Sequence, residues 1–165
     1  MTTPLNLVFR CLRSTSEVLV AHGLESACYS SDEGASLETM LYRYKHAQHL
    51  FLGAFSGQTL VGYIMATQAS EPLVTHKSMS THDPQGTTVC IHSVCVSPQW
   101  QRQGVASMLL KKYTEIIKNC KDITRLAMLS RMDLVPLYQR NGYQCLGPSN
   151  VTHGSEKWYD CILDI

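Results

Sequence analysis

The apolar and polar positions along the chain fall into short runs whose periods set the expected elements. Leu5 to Leu12 reads as a first strand. Ser14-Thr15-Ser16-Glu17 opens an apolar-periodic stretch to about Ala27, and a serine followed three residues later by glutamate is a helix-capping signature. Ala35 to His46 predicts a second, Tyr-bearing helix, and Ser30-Ser31-Asp32-Glu33-Gly34 before it has the polar, Gly-containing chemistry of an exposed loop. His49 to Ala54 and Thr59 to Thr67 are strand-like, and the short Gly-containing link Ser56-Gly57-Gln58 favours an antiparallel hairpin. Ala69 to Thr87 is polar with little periodicity, long enough to predict a functional or mobile loop, in which Lys77 to His82 is placed to border a pocket.

Thr88 to Val96 is a β-branched and apolar run without clean alternation, as expected for a central strand covered on both faces. After Ser97-Pro98, Gly104 to Lys118 places Val105, Met108, Leu109, Tyr113, Ile116 and Ile117 at a helical period, with Lys111 and Lys112 outward. A strand at Thr124 to Leu129, a short helix from about Leu134 to Arg140, and strands near Tyr143 to Leu146 and Lys157 to Leu163 follow. The order predicts an α/β (α+β) fold, a mixed, mostly antiparallel central sheet flanked by helices. No repeat or linker breaks the chain, so one domain over residues 1–165 is expected.

Composition narrows the function classes. Lys and Arg number 14 against 13 Asp and Glu, so no basic excess draws the chain to nucleic acid or an anionic membrane. The apolar runs Leu50 to Phe55 and Leu60 to Met65 are too short to span a bilayer, and Met1 to Phe9 lacks the features of a signal peptide. The seven cysteines, Cys11, Cys28, Cys90, Cys95, Cys120, Cys145 and Cys161, are scattered, with no Cys-x-x-Cys pair to suggest a metal site. A soluble, cytoplasmic protein with reduced thiols and no metal is expected. Cys90 and Cys95 lie in an apolar run and read as small buried hydrophobes rather than nucleophiles.

The most informative stretch is Val94 to Ala106, a strand, a turn and the start of a long helix. A helix N-terminus offers unpaired N–H groups and the positive end of its dipole, and Gly104 with small Ala106 lets a phosphate approach the backbone, with Arg102 beside it. Taken alone, the same residues also suit a purely structural strand-to-helix turn. The Gln101-x-x-Gly104-x-Ala106 spacing resembles the acetyl-CoA pyrophosphate motif of the GNAT superfamily, and Leu137-Tyr138-Gln139-Arg140-Asn141-Gly142-Tyr143 resembles its later Leu-Tyr motif. Ser78 to His82, Ile91-His92-Ser93-Val94, Leu134 to Tyr138, and Gly147-Pro148 with the Val151 to Trp158 tail look like the arylalkylamine (serotonin) N-acetyltransferase branch. That likeness covers the chain from about Ala35 onward.

The resemblance implies acetyl-CoA as cosubstrate, no metal, and a GNAT fold. It implies that Val94, Cys95 and Val96 lend backbone groups to the pantetheine arm, with the Val94 N–H as oxyanion donor. The pyrophosphate would rest on N–H groups from Arg102 through Gln103, Gly104, Val105, Ala106 and Ser107. An alkylamine has a pKa of about 10 and must lose a proton before attack. His92 is the candidate base, lying two residues before Val94 so that both side chains are expected on one face; the bland alternative is a strand histidine satisfied by a core hydrogen bond. Tyr138 is the candidate acid for the departing thiolate, and a helix-packing tyrosine is its bland alternative. The branch often carries His-x-His where this chain has Cys90-Ile91-His92, so a two-histidine relay does not transfer.

The expected function is acetyl transfer to a small arylalkylamine of the serotonin, tryptamine or phenethylamine type by direct attack in a ternary complex. A polyamine or protein amino group is the alternative acceptor, and a non-catalytic acetyl-CoA-binding module is the alternative from another class. A polyamine would want several carboxylates in the cleft, an arylalkylamine apolar and aromatic walls. Asp32 and Glu33 could attract a cationic amine, although a charge pair in a polar loop is commonly just solvated. Without basic flanking extensions in the sequence, a monomeric, constitutively active enzyme is expected.

Overall fold

Ser14 lies in extended backbone and its hydroxyl accepts the Glu17 N–H at 3.2 Å, which starts helix α1 (Thr15–Cys28) as its sequence foretells. Such a cap contributes about 1 kcal/mol. The Glu17 carboxylate does not close a reciprocal box; it takes the Arg10 guanidinium at 2.6 Å and the Arg13 N–H at 2.7 Å, fastening α1 to strand β1 (Val8–Cys11). The computed structural model describes residues 5–165, and the part of the targeting-signal reading that falls on Met1 to Pro4 lies outside them. Among the described residues no helix is long and apolar enough to cross a membrane.

Helix α2 (Leu37–His46) starts one residue after its cap Ser36. Strands β2 (Leu52–Ser56) and β3 (Thr59–Ala69) form the expected hairpin across Gly57 and Gln58, with Gly57 at φ 61°. His49 lies in a short 3₁₀ turn before β2, not in the strand. The Ala69 to Thr87 segment, read as a loop, folds a short helix α3 (His76–Ser80) capped by Thr75. It is tied down by the Gln68 N–H donated to His82 Nδ1 (3.0 Å) and the His82 N–H donated to Tyr42 Oη (3.0 Å). A side chain at Gly86 would overlap the Ala69 backbone, so only glycine allows this approach.

β4 (Thr88–Val96) has the expected bounds, and α4 (Val105–Lys118), β5 (Arg125–Ser130), α5 (Val135–Arg140), β6 (Gln144–Pro148) and β7 (Tyr159–Asp164) complete the chain. The seven strands form one sheet in the order β1-β2-β3-β4-β5-β7-β6, antiparallel throughout except where β4 pairs β5. Val18, Met40, Phe51 and Tyr63 fill the face under α1 and α2. Ile64, Val89, Ile91, Val105, Leu109 and Ile117 fill the face under α4. With apolar layers on both sides β4 is central, which explains why its apolar residues do not alternate cleanly with polar ones.

Candidate active site

β4 and β5 run parallel with matched register only from Thr88–Arg125 to Ile91–Met128. Beyond that point β5 continues on β7, while β4 stays with β3, so the two central strands part. The Ser97 N–H donates to Val61 O at 2.7 Å, which fixes the phase of the β3–β4 ladder. Because hydrogen-bonded and non-bonded pairs alternate, Val96 and Val94 turn their N–H and C=O groups away from β3, toward the gap. Their carbonyls there accept Gln101 Nε2 (3.0 Å) and Tyr29 Oη (3.2 Å) respectively. Cys95, between them, directs its backbone at Tyr63, so the structure does not bring it to the edge expected for Val94, Cys95 and Val96 together.

At the head of α4 two residues adopt left-handed backbone, Arg102 at φ 62° and Gly104 at φ 84°. The first intrahelical bond runs from the Met108 N–H to Gly104 O (3.0 Å), which leaves the N–H groups of Val105, Ala106 and Ser107 without intrahelical acceptors. Nothing lies within 4 Å of where a Gly104 Cβ would stand. Arg102, Gln103 and Gly104 are exposed, Gln103 holding Gln99 O at 3.2 Å, and the Ser107 hydroxyl takes Asn141 Nδ2 at 3.2 Å. Open space, free donors and the positive helix end fit a phosphate-bearing ligand. Tyr138 on α5 is buried against Tyr143. Burial raises its pKa and keeps the phenol protonated, and its proximity adds to the elevated pKa of Tyr29, which burial chiefly causes.

His92 is not on the face of Val94. The ladder pairs Met65 with Ser93 and Ala66 with Ile91, so His92 is the extra residue of a β-bulge. The bulge resets the alternation: Val94 packs with the α4 layer, whereas His92 and Ser93 both line a cleft of about 270 Å³ between α1, α2, α3 and the sheet. The Thr67 hydroxyl donates its single proton to Ser78 O (2.6 Å) and sits 2.8 Å from His92 Nε2. Nε2 must therefore carry the proton, which leaves the Nδ1 lone pair free. Burial, assisted by the charge of Arg43, holds the His92 pKa well below its ordinary value, so the ring is neutral at neutral pH.

Two cleft residues, and a third that holds His92, escaped the sequence reading. Glu25 of α1 accepts hydrogen bonds from Tyr63 Oη, Ser93 Oγ (3.0 Å) and the Ala35 N–H (2.9 Å), tying α1 to β3, to β4 and to the segment before α2. Arg43 is buried, its Nη2 on Met79 O at 2.7 Å and its Nε unpaired, and burial lowers its pKa to about 10. Thr67 is fully buried on β3. The inward position of Arg43, three residues after Met40 on α2, was the one available signal. Glu33, expected in solvent beside Asp32, is 8% exposed, lines the cleft and has an unpaired Oε2; Asp32 is exposed. Cys90 is buried as a small hydrophobe against Ala127 and Ile162. Among the described residues no cluster of three or more His, Cys, Asp or Glu could hold a metal.

The sequence is 29% identical over 150 residues to the serotonin N-acetyltransferase of Mesocricetus auratus, covering 89% of this chain and 72% of that protein. The fold superposes on the loading GNATL domain of CurA from Lyngbya majuscula with a TM-score of 0.86 at 13% identity, covering 97% and 98% of the two chains. It also superposes on the paia N-acetyltransferase of Thermoplasma acidophilum, solved in complex with coenzyme A, with a TM-score of 0.69 at 16% identity, covering 98% and 100%. Residues 20–143, which carry the parted strands β4 and β5, the α4 turn and most of the cleft, match the acetyltransferase (GNAT) family, and the chain belongs to that family.

Proposed function

We propose that this chain transfers the acetyl group of acetyl-CoA to the primary amine of a small arylalkylamine, by direct attack within a ternary complex. The observation that carries this reading is the division of labour on β4: a backbone edge turned away from β3 at Val94 and Val96 on one side, and a neutral imidazole with a free lone pair at His92 lining a cleft on the other. The backbone N–H groups of Val105 to Ser107, with Arg102 alongside, hold the pyrophosphate; Val94 and Val96 pair with the pantetheine arm. The Val94 N–H donates to the developing oxyanion, a contact worth about 3–4 kcal/mol in other acyl-transfer sites.

His92 accepts the proton of the incoming ammonium, through water where the amine lies out of direct reach, and Nδ1 is the accepting atom. Tyr138, protonated at working pH, donates to the departing thiolate. No side-chain nucleophile is needed, because holding amine and thioester together supplies much of the rate.

The choice of acceptor rests on the cleft walls. Tyr29, Val74, Met79, Ile91, Leu129 and Trp158 give it an apolar and aromatic lining. Of its two carboxylates Glu25 already accepts three hydrogen bonds from the protein, which leaves Glu33, with its unpaired Oε2, the freer partner for a cation; a polyamine favours several such partners. The relatedness to serotonin N-acetyltransferase supports the same acceptor class. Acetyl-CoA consumption measured against tryptamine, phenethylamine, spermidine and a lysine peptide tests it. Aromatic ethylamines are expected to give the highest kcat/KM. Spermidine better by about tenfold would overturn the acceptor class, and coenzyme binding without turnover of any amine would overturn catalysis.

A further inference from the structure

Two of the free thiols touch. Cys28 closes α1 and Cys95 lies on β4, yet their Sγ atoms are 2.8 Å apart, only roughly 0.8 Å more than a disulfide bond. Each thiol also meets a backbone carbonyl, Cys28 the Val96 O at 3.4 Å and Cys95 the Leu24 O at 3.3 Å, and Cys95 lies against the Tyr63 side chain. Both elements are fixed by the packing of Val18, Ala21 and Tyr63 in the same layer, so the contact is built into the fold. The acetyl-transfer chemistry uses neither sulfur.

The pair is asymmetric. Cys28 is half-buried, within reach of a small solute, whereas Cys95 is 1% exposed. The hydrogen bond from Cys95 lowers the Cys28 pKa and, with burial, raises that of Cys95. An accessible thiol favoured as thiolate next to a shielded second thiol is the arrangement of an attacking and a resolving cysteine. The other thiols lack it: Cys11 and Cys120 point at carbonyls 3.7 and 3.6 Å away, Cys90 is enclosed, and Cys145 faces Cys161 across β6 and β7 with Cys161 fully buried.

We propose that Cys28 and Cys95 form a reversible modification site, a peroxide-reactive pair that closes into a disulfide joining α1 to β4. The Cys28 thiolate attacks one peroxide oxygen; the S–O bond forms, the O–O bond breaks, and the released hydroxide takes the thiol proton to leave as water. The Cys95 sulfur then attacks the Cys28 sulfenic acid; the S–S bond forms, the S–O bond breaks, and hydroxide with the Cys95 proton leaves as a second water. Two thiols and one peroxide thus give one disulfide and two waters, a two-electron oxidation that a dithiol reverses by exchange. The step is independent of acetyl transfer.

The test treats the reduced, folded full chain with one equivalent of hydrogen peroxide, denatures it in a thiol-blocking alkylator, and maps peptides without reduction. The expected main product is the peptide pair cross-linked at Cys28–Cys95, returned to free thiols by dithiothreitol. Cys95→Ser should stop at a dimedone-reactive sulfenic acid on Cys28, and Cys28→Ser should slow peroxide consumption at least about tenfold, because the shielded Cys95 cannot start the reaction. Survival of both thiols in the wild-type chain, a Cys28 sulfinic acid beside an intact Cys95, or a first disulfide at Cys145–Cys161 or between chains would overturn the proposal. The wild-type map decides it even if a variant fails to fold.

Discussion

Where β4 parts from β5, the groups on offer are backbone groups: Val94 and Val96 at the strand edge and the unpaired N–H groups at the head of α4. Across the strand the groups are side chains: His92 from a bulge in β4, Arg43 from α2 and Glu33 from the turn after α1 line the cleft under α2 and α3, and buried Thr67 from β3 holds His92. A backbone-built site depends on small residues and on the path of the chain. A side-chain site depends on which residue each element happens to aim inward. Substitutions should therefore separate cleanly, with coenzyme affinity responding to geometry at Gly104 and acceptor chemistry responding to the identity of His92 and its neighbours.

The largest effect is expected from His92→Ala, which should lower kcat/KM by about 10²–10³-fold, most at low pH where the amine is most protonated, with the acetyl-CoA Kd unchanged. Rate profiles and calorimetry check it together; a parallel loss of coenzyme affinity would dissolve the distinction between the two sides. Tyr138→Phe sharpens the comparison from the opposite end, because it removes one hydroxyl from the coenzyme side while keeping a buried ring. A fall in kcat of roughly 10²-fold with normal coenzyme binding is expected, and a loss confined to KM would make it a packing residue.

Gly104→Val puts a β-branched side chain at φ 84° into the space before the helix. Strain of that kind costs about 1–3 kcal/mol, so coenzyme affinity should weaken about tenfold or more by calorimetry on folded protein. Unchanged affinity would remove this turn from the site. Arg43→Met acts on the cleft alone. Burial is the first cause of the depressed His92 pKa and Arg43 the second, so removing the cation raises that pKa without restoring the ordinary value of about 6.5. Since the base works unprotonated, the acid limb of kcat/KM should move to higher pH, while coenzyme binding stays as it was. A limb that does not move would mean His92 is not the group being titrated. The smallest effect is expected at Cys90, a buried thiol raised to about 11 by its surroundings. Cys90→Ala should leave kcat within about twofold, since neither proton transfer runs through it; a large loss in a folded variant would put the thiol on the proton path.

The half of the site proposed for the coenzyme could be read from the sequence because its physics is local. A strand-ending run, a small-residue turn and an amphipathic helix lie within Val94 to Lys118, and their order alone places free N–H groups at one point. Even there one detail was out of reach: whether Val94, Cys95 or Val96 shows its backbone to the gap depends on the phase of the ladder with β3, which shows in the pairing of Ser97 with Val61 on the neighbouring strand and in nothing within β4 itself. The expectation that His92 and Val94 share a face failed for a related reason. A strand without clean alternation gives no clear sign of a bulge, and one inserted residue at the polar pair His92-Ser93 reverses the alternation.

By itself the sequence determined the element order apart from α3, the bounds of β4, the mixed sheet and the Gly104 turn, since periodicity, capping residues and left-handed glycine are properties of neighbours along the chain. The tertiary structure decided the cleft. Burial of Glu33 and Arg43, the proton held on His92 Nε2 by Thr67 and Ser78, and the meeting of Cys28 with Cys95 all join residues from separate elements. Such contacts exist only once the sheet has fixed register and the helices have packed against it, because hydrogen bonds and close contacts act over a few ångströms of space whatever the distance along the chain.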